Sequence, residues 1–168
     1  MLSLYFSNRQ PHQYYFVTWR ILHDDQVWNS ADARSKAAAR LEANLRREPY
    51  QCVGYALFAD HVHLVIGLPE NESLDLLMHR FDREMMLLNP LTFNIIHFSP
   101  SFLSYPLATA DDIEAAQRYL MENPAKHGLK DHGYVLRVFD LDTVSIQAGD
   151  AVKVAAHHDD EGPWAKAA

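Results

Sequence analysis

The sequence predicts an α+β fold in which helices pack on an antiparallel sheet, and three observations carry that expectation. Runs rich in aromatic and β-branched residues interleave with helical stripes in the order strand, helix, strand, strand, helix, short strand, helix. The second and third strands are separated only by Ala59-Asp60, which makes them an antiparallel hairpin. A chain of 168 residues, 48% hydrophobic, can bury one sizeable core and is too short to need a second. Together these suggest a ferredoxin-like, split βαβ sandwich. The expected organisation is a single domain over residues 1–140 and an acidic, mobile tail over 141–168.

Each element has a local reason. Tyr14-Tyr15-Phe16-Val17-Thr18-Trp19-Arg20-Ile21-Leu22 reads as a largely buried first strand. Asn29-Ser30 offers a helix cap, the Ala- and Arg-rich stretch from Ala31 to Arg47 suits a helix, and Pro49 marks its end. The hairpin follows, from Gln51 to Phe58 and from His61 to Ile66, closed by Gly67 and Pro69. Ser73 is an N-cap for a helix whose stripe is Leu74, Leu77, Met78, Phe81, Met85 and Leu88, ending at Asn89-Pro90. Pro100 and Pro106 interrupt the aromatic stretch from Leu91 to Leu107, which reads as a loop and a short edge strand. Asp111-Asp112 starts another helix at its positive end, with Ile113, Ala116 and Leu120 buried and Asn123-Pro124 as its stop. After a turn at Gly128, Tyr134 to Phe139 forms a last strand.

Composition bounds the function. There is no signal-peptide pattern and no apolar run long enough to span a bilayer, so the expectation is a soluble, cytoplasmic protein with no membrane role. The single Cys52 forms no internal disulfide, there is no Cys-x-x-Cys for structural zinc, and Cys52 is expected in the core. A formal net charge of -7 opposes simple electrostatic attachment to a phosphate backbone. Part of the excess lies in the tail, at Asp142, Asp150, Asp159, Asp160 and Glu161. Two segments lean basic: Arg34, Lys36, Arg40, Arg46 and Arg47, then Arg118, Lys126, Lys130 and Arg137. Either is a DNA-facing patch or a solvated face.

Chemistry-bearing residues fall in two places. On the third strand His61 and His63 share one face, while Val62, Leu64 and Ile66 take the other. Two imidazoles at this spacing can converge on one divalent ion, although in a chain with 10 histidines a pair of satisfied surface side chains reads as well. On the later helix Tyr119 and Asn123 are four residues apart and flank the buried stripe. Asn123 could offer an oxygen to a hard metal and Tyr119 a phenolic nucleophile; the alternatives are an ordinary helix terminus and a packing tyrosine.

The two fragments taken together, Asp60-His61-Val62-His63-Leu64-Val65-Ile66 and Tyr119-Leu120-Met121-Glu122-Asn123-Pro124-Ala125-Lys126-His127-Gly128-Leu129, resemble the single-tyrosine, His-hydrophobe-His transposases, particularly the REP-associated tyrosine transposases. Tyr15-Phe16-Val17-Thr18 also looks like that family's opening strand, so the resemblance spans Tyr14 to Leu129. It implies a divalent metal, Mg2+ or Mn2+, on His61, His63 and Asn123, with Tyr119 as the catalytic nucleophile. It further implies nicking and strand transfer on single-stranded DNA beside hairpins, through a 5′-phosphotyrosine and a free 3′-hydroxyl, with no nucleotide cofactor. A homodimer is compatible with this reading.

The chain departs from the family at three places. Ala59 stands where proline is usual, Met121 where histidine is usual, and the helix after the hairpin carries acids in His79-Arg80-Phe81-Asp82-Arg83-Glu84 where relatives are basic. The acids favour a second expectation, a catalytically silent, host-adapted derivative that binds DNA or RNA hairpins. A third is a sandwich domain serving protein contacts. Trp19, Trp28, Tyr50, Tyr55 and Phe58 could stack on bases or pack in the core, Lys126 and His127 could touch phosphate, and His157-His158-Asp159-Asp160-Glu161 reads as a solvated tail.

Overall fold

The computed structural model describes residues 12–22, 31–46, 50–86, 97–99, 101–126 and 134–139. Its elements are β1 (His12–Leu22), α1 (Ala31–Arg46), β2 (Gln51–Leu57), β3 (His61–Pro69), α2 (Leu74–Met86), β4 (His97–Phe98), β5 (Leu103–Leu107), α3 (Ala110–Lys126) and β6 (Val135–Val138). The strands form one antiparallel sheet in the order β4-β1-β3-β2-β6, and β5 shares the outer edge of β1 with β4. Tyr14 to Thr18 pair with β5, while Ile21 and Leu22 pair with β4. The expected α+β class, sheet with packed helices, is what forms.

Strand alternation sends side chains to two different cores. On one face Val17, Trp19, Tyr55, Leu57, Val62, Leu64, Ile66 and Leu68 meet Ala37, Ala38, Leu41 and Leu45 of α1 and Leu77, Met78, Phe81 and Met85 of α2. On the other Tyr14, Phe16, Val53, Ala56, Phe58, Val65 and Leu107 meet Ile113, Ala116 and Leu120 of α3. The sheet is therefore the middle layer of three. The apolar stripes read from the sequence point inward as expected, except that Leu88 lies outside the described residues, and the histidine face of β3 is also covered.

Several boundaries differ from the sequence reading. β3 runs on through Gly67 to Pro69 because these residues pair with Tyr14 to His12 of β1, which local turn residues could not reveal. α3 continues past Asn123-Pro124 to Lys126. The ring at Pro124 removes one backbone donor, and burial of both Asn123 and Pro124 against the sheet offsets that loss. The start of α3 is a capping box: Thr109 Oγ1 accepts from the Asp112 amide at 3.1 Å, and Asp112 Oδ2 accepts from the Thr109 amide at 2.9 Å. The Asn29-Ser30 cap, the Asn89-Pro90 stop, the Gly128 turn and the tail over 141–168 lie outside the described residues.

The other side-chain expectations divide. Trp19, Tyr50, Tyr55 and Phe58 are core residues, each at most 5% exposed, so they offer no face to a base; Trp28 is outside the described residues. In the first basic segment Arg34 is buried, Lys36 pairs with Asp32 at 2.7 Å, and Arg40 donates to the Glu84 carbonyl at 3.2 Å. Arg40 thus ties α1 to α2, while the Arg46 side chain and Arg47 lie outside the described residues. Cys52, expected in the core, is half-buried on β2 and packs against the α1–α2 core, and burial pushes its thiol up to about 12.

The register of β2 against β3 shifts between Cys52 and Gly54, a bulge that turns Val53 into the core facing α3. Gly54 then lies under β6 and α3: a Cβ there would sit 2.9 Å from the Arg137 carbonyl oxygen and 3.1 Å from Leu120 Cδ1. Gly54→Ala should therefore cost about 1–3 kcal/mol, since a backbone atom cannot yield as a side-chain tip can. Urea unfolding would register this as a lowered midpoint; an unchanged midpoint would show that β6 is free to shift.

Candidate functional site

β3 lies between β1 and β2, and its first turn of chain carries the two histidines. The two-residue Ala59-Asp60 turn, closed by the Phe58 amide donating to the His61 carbonyl at 2.9 Å, sets His61 at the strand's first position. His61 and His63 then point toward α3. Their Nε2 atoms are 3.2 Å apart.

Each outer nitrogen is held. His61 Nδ1 lies 2.6 Å from Asp60 Oδ1, and His63 Nδ1 lies 3.0 Å from Thr18 Oγ1 across the β1–β3 pair. A carboxylate can only accept, so His61 Nδ1 carries the hydrogen, and in the neutral ring Nε2 keeps its lone pair. Aromatic packing fixes the ring planes. Phe58 stacks on His61 with centroids 4.6 Å apart and an interplanar angle of 17°, and Phe16 is 5.2 Å from His63. His63 is only 5% exposed, which removes the reading of two surface histidines.

α3 brings its tyrosine to the same place. The Tyr119 ring lies edge-on to His63 at 5.7 Å and to Phe16 at 5.5 Å. Lys126, two turns later, sets its Nζ 5.0 Å from the Tyr119 ring centroid and 3.4 Å from Glu122 Oε2. The second basic segment thus places one cation beside the tyrosine; Arg137 instead pairs with Glu42 at 3.6 Å, and His127 and Lys130 are outside the described residues. Asn123 sits one turn beyond Tyr119. It belongs to the buried stripe itself and does not flank it, with 1% exposure, and its Oδ1 is buried without a hydrogen-bond partner.

The spacing of the two histidine nitrogens is compatible with a shared divalent ion. Two nitrogens each about 2.1 Å from a shared ion lie roughly 3.0–3.4 Å apart at octahedral to tetrahedral angles, and the histidine pair falls in that interval. Among the described residues no group of three His, Cys, Asp or Glu is placed to hold a metal, and the orphaned oxygen of Asn123 is a donor type that suits a hard ion.

Two residues that support this arrangement were given no role of their own in the sequence. Thr18 stood there as part of the first strand and of its resemblance to the family's opening, and its place opposite His63 exists only once the β1–β3 register is set. Gln117 is buried on α3 and donates to the Phe139 carbonyl at 2.8 Å, tying the helix to the chain leaving β6. A polar residue in an apolar stripe was the available signal.

Neither a protein-family model nor a curated protein matches the sequence. Among solved structures, the chain is similar to a protein provisionally designated a transposase from Deinococcus radiodurans, at 15% identity and a TM-score of 0.48 over 73% of this chain and 97% of that one. It is also similar to a REP-associated tyrosine transposase bound to a REP hairpin, at 18% identity and a TM-score of 0.59 over 77% of this chain and 76% of the other, a likeness of fold.

Proposed function

We propose that the protein is a transposase-like, metal-dependent enzyme that nicks and transfers single-stranded DNA beside hairpins, with Tyr119 as nucleophile and His61, His63 and Asn123 as metal donors. The observation that carries this reading is the meeting of two histidine nitrogens, 3.2 Å apart, with a tyrosine ring 5.7 Å from the second histidine. The fold shared with a transposase bound to a hairpin supports it.

A bound Mg2+ or Mn2+ would supply Lewis-acid polarisation of the scissile phosphate and offset its developing charge. The protein does the rest. Phe16 and His63 hold the Tyr119 ring edge-on, so its oxygen has a restricted sweep. A bond forms from that oxygen to phosphorus as the P–O3′ bond breaks, and the phenolic proton is replaced on the departing 3′-oxygen. The product is a 5′-phosphotyrosine and a free 3′-hydroxyl, which a second strand end can attack by the reverse exchange. Bond energy is conserved.

Incubation with hairpin-flanked single strands and Mn2+ should yield a detergent-stable protein–DNA adduct that EDTA prevents. Tight hairpin binding with no adduct under any divalent metal would instead establish the silent, hairpin-binding derivative. Absence of affinity at low salt would leave the protein-contact domain.

A further inference from the structure

We infer that Thr18 is the positioning residue that lets His63 exist in two tautomers, one closing the histidine pair on itself and one opening it to a metal. The inference rests on the metal reading of His61 and His63.

The proton count along the row of contacts leads there. Asp60 accepts from His61 Nδ1, which in the neutral ring leaves His61 Nε2 as an acceptor. At 3.2 Å from it, His63 Nε2 completes a hydrogen bond only by carrying a hydrogen. His63 Nδ1 is then bare, and Thr18, 3.0 Å away, donates its hydroxyl. In that arrangement one of the two lone pairs a metal needs is occupied by a proton.

Metal coordination needs both Nε2 lone pairs. His63 must then carry its hydrogen on Nδ1, and the hydroxyl must accept. Of the side chains that could stand opposite His63, a carboxylate would enforce the open tautomer, an ammonium the closed one, and an aliphatic group neither. A hydroxyl donates or accepts by rotating about one bond. The exchange moves one proton from Nε2 to Nδ1 of the same ring through solvent, so the net charge of the pair is unchanged.

The position is confined. Thr18 is paired to His63 within the β1–β3 ladder, and Val17 and Trp19 on either side are buried in the opposite core. The hydroxyl cannot swing away with the backbone. Its orienting role is that of the outer partners which commonly tune metal-ligating histidines, whose loss weakens metal binding by about 10- to 100-fold.

The test uses the full chain and two readouts that do not involve DNA. Calorimetric titration with Mn2+ should show Thr18→Val binding about 10- to 100-fold more weakly than wild type, while Thr18→Ser stays within about threefold because it keeps the hydroxyl. Long-range proton–nitrogen spectra of the His63 ring should place the hydrogen on Nε2 in metal-free protein and on Nδ1 when Mg2+ is saturating. Valine binding within twofold of wild type, serine as weak as valine, or the hydrogen on Nδ1 in both states overturns this inference and leaves the metal reading standing. Wild-type protein that takes up no Mn2+ overturns the metal reading, and this inference with it.

Discussion

Tyr119→Phe is expected to abolish the covalent adduct, with a loss of at least about 10^4-fold in the rate of strand cleavage, because the substitution removes the only atom that would join the phosphate. The ring is retained. Its edge contacts with His63 at 5.7 Å and Phe16 at 5.5 Å, and the Lys126 ammonium 5.0 Å from its centroid, involve the ring and not the hydroxyl. Stability should therefore change by less than about 1 kcal/mol, and hairpin affinity should hold within a few-fold. Cleavage measured on denaturing gels, with affinity measured in parallel, separates chemistry from binding. Adduct formed by the phenylalanine variant would move the nucleophile elsewhere and remove the proposed role of Tyr119.

The largest stability effect is expected from Phe16→Ala, at about 3–5 kcal/mol. Phe16 is 0% exposed at the middle of β1, and it is the side chain on which His63 and Tyr119 both pack. Truncation opens a cavity between a central strand and α3, and the rigid strand cannot collapse to fill it. Phe16→Leu, which keeps most of the volume, should cost less than about 1.5 kcal/mol. The pair tests whether the floor of the site is also part of the core: thermal unfolding should rank wild type above leucine above alanine. An alanine variant as stable as wild type would mean that α3 does not bear on the sheet at this point.

On α2 the acids Asp82 and Glu84 lie across the sheet from Tyr119. α2 packs with α1 on the face opposite α3, and Glu84 receives Arg40 there. Beside Tyr119 on α3 stand the Lys126 ammonium and its partner, the Glu122 carboxylate. The net charge of the chain is therefore a poor guide to the field near the tyrosine.

What the sequence determined by itself was every feature with a local cause. Alternation in Tyr14 to Trp19 and His61 to Ile66, the 3.6-residue stripe of α2 from Leu74 to Met85, and the two-residue turn at Ala59-Asp60 each act over a few bonds, and all recur in the structure. The shared face of His61 and His63 is of the same kind, as is the helical spacing of Tyr119 and Asn123. Tertiary structure decided what those residues meet. Covering of the histidine face by α3, the burial of Asn123, the Thr18 hydroxyl on His63 Nδ1 and the Tyr119 ring at its edge all depend on strand register and helix placement. Register is set by the summed burial of two cores on opposite faces of one sheet, an energy shared by residues up to a hundred positions apart and absent from any short window of sequence.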